Sequence, residues 1–182
     1  MEKEIKGYKI EIAPDEDPID PRGDDNLGTM VCFHNRYNLG DKHDYHHADY
    51  NSWGELKEAI IKNENPGVIL PLYLYDHSGI TMNTTGFDCP WDSGQIGWIF
   101  ISKKKILEEY GRKKVSRKLI EKVREYLIAE VKTYDQYLTG DVYGFRITKD
   151  GVKIDSCWGY YGEDECMREA ESIVDCMTKE DK

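Results

Sequence analysis

Residues 142–158 read Val142-Tyr143-Gly144-Phe145-Arg146-Ile147-Thr148-Lys149-Asp150-Gly151-Val152-Lys153-Ile154-Asp155-Ser156-Cys157-Trp158. Two runs rich in β-branched and aromatic residues flank Asp150-Gly151. Asp-Gly tolerates φ > 0 at both central turn positions, so the segment reads as an antiparallel hairpin. Upstream of it, Ser116 can cap a long helix reaching about Leu138. The inner stripe of that helix is Leu119, Val123, Leu127, Val131, Tyr134 and Leu138, at spacings of three and four. Downstream, a last helix spans roughly Asp164 to Met177, with Cys166, Ala170, Ile173, Val174 and Met177 facing inward.

Moving toward the N-terminus, Gln95 to Ser102 is a strong strand, followed by a short helix over Lys103–Tyr110 closed by Gly111. Val68 to Leu74 is an apolar run suited to a central strand. Ser52 and Glu55 fit a capping box for a helix running to about Lys62. Met30–Phe33 is a short buried strand, and Tyr8–Ile12 alternates as another. Residues 13–28, 35–51 and 75–94 are loops or turn-rich stretches, because proline, glycine and polar residues interrupt them. The expectation is a single α+β domain over residues 1–182. It holds a mixed, mostly antiparallel sheet of about five or six strands with three or four helices.

The 182 residues carry 35 acids and 25 bases, a net charge of −10. The charge is segregated. Residues 1–30 hold nine acids and four bases, residues 155–182 nine acids and three bases, and residues 103–124 ten bases and three acids. Overall acidity opposes ordinary nucleic-acid binding. It permits either a solubilising surface or an acidic face that occupies a basic groove on a partner. No run of about 18 apolar residues occurs, so no membrane span is expected. The charged N-terminus lacks the apolar core of a secretory signal, which points to the cytosol of the cell that makes the protein. Five cysteines with no zinc spacing and no C-x-x-C pair fit free thiols in a reducing compartment.

Several constellations are candidates. Asp15, Glu16, Asp17, Asp20, Asp24 and Asp25, with Glu163, Asp164 and Glu165, could present carboxylates to an arginine-rich groove. The first six could equally form a plain surface loop. Lys103, Lys104, Lys105, Arg112, Lys113, Lys114, Arg117 and Lys118, with Lys122 and Arg124, could contact phosphates, or could be a solvated helix face. Tyr110 is the only aromatic in that run, so no stacking platform is evident. His43, His46 and His47 with Asp41, Asp44 and Asp49 offer metal-ligand types without a fixed metal spacing. His77, Cys89 and Asp92 supply the parts of a thiol–imidazole site, although capped turns and a packed cysteine explain them as well. Gly79 to Gly97 matches no nucleotide-binding loop. Tyr37, Tyr45, Tyr50, Tyr160 and Tyr161 on irregular segments hint at a recognition surface. No cofactor, metal or catalytic residue is assigned.

The run Leu72-Tyr73-Leu74-Tyr75-Asp76-His77-Ser78-Gly79-Ile80 carries a family resemblance. So do Phe87-Asp88-Cys89-Pro90-Trp91-Asp92-Ser93-Gly94-Gln95-Ile96-Gly97, Val131-Lys132-Thr133-Tyr134-Asp135-Gln136-Tyr137-Leu138 and Asp155-Ser156-Cys157-Trp158-Gly159. Across about residues 68–175 the chain resembles accessory proteins of phages and mobile elements of Firmicutes, most of which carry no assigned activity. Within that group it is similar to type II-A anti-CRISPR proteins. The resemblance implies inhibition of a type II CRISPR effector nuclease by direct binding in the host cytosol. Guide RNA or target DNA would lie beside the interface, and no catalytic residue transfers. Two other classes stay open: a Cys/His hydrolase-like phage enzyme, and a nucleic-acid-binding accessory protein using the basic segment 103–124.

Overall fold

The computed structural model describes residues 1–23 and 25–180, and Asp24 lies outside the described residues. In chain order the elements are β1 (Glu2–Ile5), β2 (Tyr8–Pro14), β3 (Thr29–Cys32), α1 (Trp53–Glu64), β4 (Pro66–Asp76), β5 (Ile80–Asn83), β6 (Ser93–Ser102), α2 (Lys103–Glu109), α3 (Arg117–Thr139), β7 (Val142–Lys149), β8 (Val152–Tyr161) and α4 (Glu163–Glu180). The class is α+β. The expected single sheet of five or six strands is corrected: the described residues form eight strands in two four-stranded sheets, and every ladder among them is antiparallel. The chain divides into two compact units, residues 1–21 with 136–182 and residues 22–135.

The first unit is a sheet in the order β1-β2-β7-β8 with α4 packed on one face. The β7–β8 turn has φ of 51° at Asp150 and 78° at Gly151, the doubly left-handed geometry that Asp-Gly favours. Lys6 and Gly7 repeat it, at 52° and 80°, between β1 and β2. Alternate residues of β2 (Tyr8, Ile10, Ile12) and β7 (Phe145, Ile147) point to one face. There they meet Cys166, Ala170 and Val174, spaced four apart on α4.

The second unit is a sheet in the order β3-β6-β4-β5. Its central strand β6 is buried from Ile96 through Ile101, as a strand covered on both faces requires. On one face Val31, Trp98 and Phe100 pack with Leu56 and Ile60 of α1. A Cβ at Gly97 would collide with the Val31 carbonyl, so glycine is what lets β3 pair there. Val123, Leu127, Val131 and Tyr134 of α3 are buried, while Leu119 and Leu138 at the ends of the expected stripe are half-buried.

The ends of the elements follow local chemistry. Ser52 Oγ accepts the Glu55 amide at 3.2 Å, and Glu55 Oε2 reaches back to the Asn51 amide at 2.8 Å. The carboxylate thus serves the residue before the cap rather than the cap itself. Ser116 Oγ accepts the Leu119 amide at 3.2 Å, and Ser102 does the same for Lys105 at 3.1 Å. No helix among the described residues is long and apolar enough to cross a membrane.

Candidate functional site

One end of the first unit gathers carboxylates. Where β2 ends, the Asp15 amide donates to the Val142 carbonyl at 2.8 Å, and the Tyr161 hydroxyl donates to the Ile19 carbonyl at 2.8 Å. Val142 pairs with Tyr161, so loop 15–20 is tied to the sheet end from which α4 departs. Glu163, Asp164 and Glu165 form the first turn of α4, where carboxylates are favoured by the unpaired helix amides. Glu16, Asp17, Asp20, Asp164 and Glu165 are exposed, and Asp15 and Glu163 are half-buried.

The bases of this unit are largely engaged elsewhere. Lys3 pairs with Glu171, Lys6 with Asp175, and Lys9 with Glu2 and Glu11. Hydrogen bonds from Lys9 and Lys6 hold the Glu11 and Asp175 carboxyls below the usual range. Arg168 takes Glu165 at 2.6 Å, and the N-terminal amine lies 3.8 Å from Glu163. Among the described residues no ion pair involves Asp15, Glu16, Asp17 or Asp164. By composition the first unit has eighteen acids and nine bases, net −9; the second has seventeen and sixteen, net −1. Asp25 belongs to the second unit, whereas the other described acids named from the sequence belong to the first.

In the second unit the basic run splits. Lys103 donates to Asn65 Oδ1 and Lys105 to the Asn26 carbonyl at 2.6 Å, so these two are engaged with the fold, whereas Lys104 makes only a solvent-exposed pair with Glu108. Arg112, Lys113, Lys114, Arg117 and Lys118 stand exposed around the α2–α3 connection.

Segment 33–53 of this unit is an aromatic surface along which clefts of about 470, 380, 440 and 510 Å³ open. Phe33 receives the rings of His43 and His47 edge-on, each at 5.4 Å, and stacks on Trp53 at 6.1 Å. His43 Nε2 lies 3.3 Å from the Cys32 carbonyl, which makes it the donor, and its buried Nδ1 has no partner among the described residues. Asp41 is committed to Arg22, which it grips through both oxygens at 2.8 and 2.6 Å. Glu130 joins from α3 at 3.3 Å, and its carboxylate also accepts the Leu27 and Gly28 amides. Burial works against the Arg22 charge, but these two carboxylates outweigh it and raise its pKa. Among the described residues no group of three or more His, Cys, Asp or Glu is placed to hold a metal ion.

The thiol, imidazole and carboxylate named from the sequence do meet. Asp92 Oδ2 lies 3.2 Å from His77 Nδ1 and 3.8 Å from Cys89 Sγ, and the Asp92 carbonyl accepts the Asp76 amide at 2.8 Å. Asp76 itself takes Arg36, with His34 Nε2 at 3.8 Å. One carboxylate oxygen thus addresses both thiol and imidazole. The imidazole that would activate the thiol contacts the carboxylate instead, and among the described residues it makes no hydrogen bond to the Cys89 sulfur. Cys32 and Cys166 are buried, which pushes their thiols up to about 12 and about 11 and makes them unreactive.

Neither the Arg22–Asp41–Glu130 cluster nor the Phe33–His43–His47–Trp53 aromatic group was expected. The first joins residues up to 108 apart in sequence, and only the His/Tyr-rich composition of loop 35–51 pointed to the second. Comparison with protein-family models, with curated proteins and with solved structures gave no match.

Proposed function

We propose that the protein inhibits a type II RNA-guided nuclease by binding it, with the acidic end of the first unit seated in a basic channel that otherwise holds guide or target strand. The observation that carries this reading is the partition of charge. Nearly all of the net −10 belongs to one unit, and its loop 15–20 and the first turn of α4 leave the same sheet end. Exposed carboxylates can accept charge-assisted hydrogen bonds from arginine guanidinium groups. The resemblance to phage accessory proteins supplies the nuclease as partner. Such nucleases hold their heteroduplex in a positively charged channel.

The reading is non-enzymatic, with no cofactor and no metal. The Cys89–Asp92–His77 contact is the strongest feature for a hydrolase, and it places the carboxylate where the imidazole would have to be. A target-cleavage assay with a type II effector, titrated with the protein at 50 and 300 mM salt, tests the proposal. Inhibition is expected at low salt and weakens at high salt, because steered association is screened. Cys89→Ala should inhibit as the parent does. Full cleavage under excess protein at low salt overturns the proposal, and loss of inhibition in a folded Cys89→Ala variant points instead to the enzyme.

A further inference from the structure

The connection from α2 to α3 holds positive charge in a form that the linear run does not disclose. Arg112, Lys113, Lys114, Arg117 and Lys118 are exposed together between Gly111 and the first turn of α3. Ser116 caps that helix and so fixes where the turn ends. Of the five, Arg117 pairs with Glu121 across one helical turn, with both side chains open to solvent, an arrangement that holds little energy.

The structure also adds a ring. Lys122 Nζ lies 5.2 Å from the centroid of Tyr110 and 5.6 Å from that of Tyr126. Tyr126 stands four residues beyond Lys122 and therefore on the same helix face. It remains 48% exposed. The basic segment, which in sequence contains Tyr110 alone, thus has two tyrosines at its border with a lysine between them. Whole-chain acidity is a poor guide to this surface, because the unit that carries it is almost neutral at net −1.

We propose that this turn binds single-stranded nucleic acid, with phosphates on Arg112, Lys113, Lys114 and Lys118 and a base against Tyr126. Lysine and arginine that neutralise phosphates release counterions, and an exposed aromatic ring stacks on any unpaired base without reading its sequence. A paired duplex offers no free base face to Tyr126, which is why a single strand is the better fit.

The test is fluorescence anisotropy with labelled 20-nucleotide oligo-U and oligo-dT, a 20-base-pair duplex, and anionic vesicles as a competitor. The single strands should bind at 50 mM salt. With four phosphates neutralised, affinity should fall about 50-fold at 200 mM, from a slope of about 0.7 per phosphate. The triple variant Arg112→Ala, Lys113→Ala, Lys114→Ala should lower that slope by about two. Tyr126→Ala should weaken binding by about tenfold while Tyr126→Phe retains it. All four positions are exposed, and circular dichroism checks that each variant is folded. No binding at 50 mM salt, affinity independent of salt, preference for the duplex or for the vesicles, or a Tyr126→Ala variant that binds as the parent does would each overturn the proposal. No nuclease enters the assay, so its failure leaves the inhibitor reading untouched.

Discussion

Arg22 ties together loop segments of the second unit. Its side chain is 3% exposed, and it holds Asp41, Glu130 and the Gly28 carbonyl. Asp41 passes the hold on to the Met30 amide at 2.7 Å, and Glu130 to the amides of Leu27 and Gly28. Replacing such a pair with apolar residues can be neutral, but removing one member leaves uncompensated charge in a poorly solvated place. Arg22→Ala should therefore destabilise the protein by about 3–5 kcal/mol, read as a lowered denaturant midpoint with circular dichroism. An unchanged midpoint would mean that the two carboxylates find other partners. Nothing in the sequence marked Arg22. It sits among acids and prolines, and its partners lie 19 and 108 residues away.

At the scale of elements, legibility followed locality. The Asp150-Gly151 hairpin, the Ser52 and Ser116 caps and the α3 stripe were readable because each is fixed by residues within a few positions. Strand β1 was missed because Lys6-Gly7 is not a strong turn pair and Glu2-Lys3-Glu4 has no apolar face. It forms because β2 offers a ladder. Strand β5 was hidden in a polar stretch, and α3 fixes it: Asp135 Oδ1 accepts both the Thr81 hydroxyl and the Met82 amide at 2.7 Å. The split into two sheets was not legible, since strand order depends on pairings more than a hundred residues apart, such as Ile12 with Phe145. Gly97 marks one pairing that tolerates no side chain. Gly97→Ala should cost about 1–3 kcal/mol by forcing β3 off β6, measured by thermal unfolding. A variant as stable as the parent would mean that the strands can shift without loss.

For the whole molecule, the proposed inhibition rests on how charge is shared between the two units rather than on its total. The candidate acids were legible as a count along the chain. Their convergence was not, because it depends on Tyr161 and Val142 holding the loop that follows β2. The thiol, imidazole and carboxylate of the second unit were legible as a set and do meet. Their order around Asp92 came only with the fold.

The central claim, that the clustered carboxylates of the first unit do the binding, is tested most directly by neutralising them without changing their shape. Asp15→Asn, Glu16→Gln, Asp17→Asn and Asp164→Asn remove four charges that take part in no ion pair among the described residues, so stability should fall by no more than about 1 kcal/mol, from the loss of the Asp164 carboxylate at the α4 N-terminus. The measurement is inhibition of target cleavage by a type II effector at 50 mM salt, parent against quadruple variant. The account predicts that the folded variant loses inhibition by tenfold or more, about 1.4 kcal/mol or greater. Undiminished inhibition by that variant would contradict it.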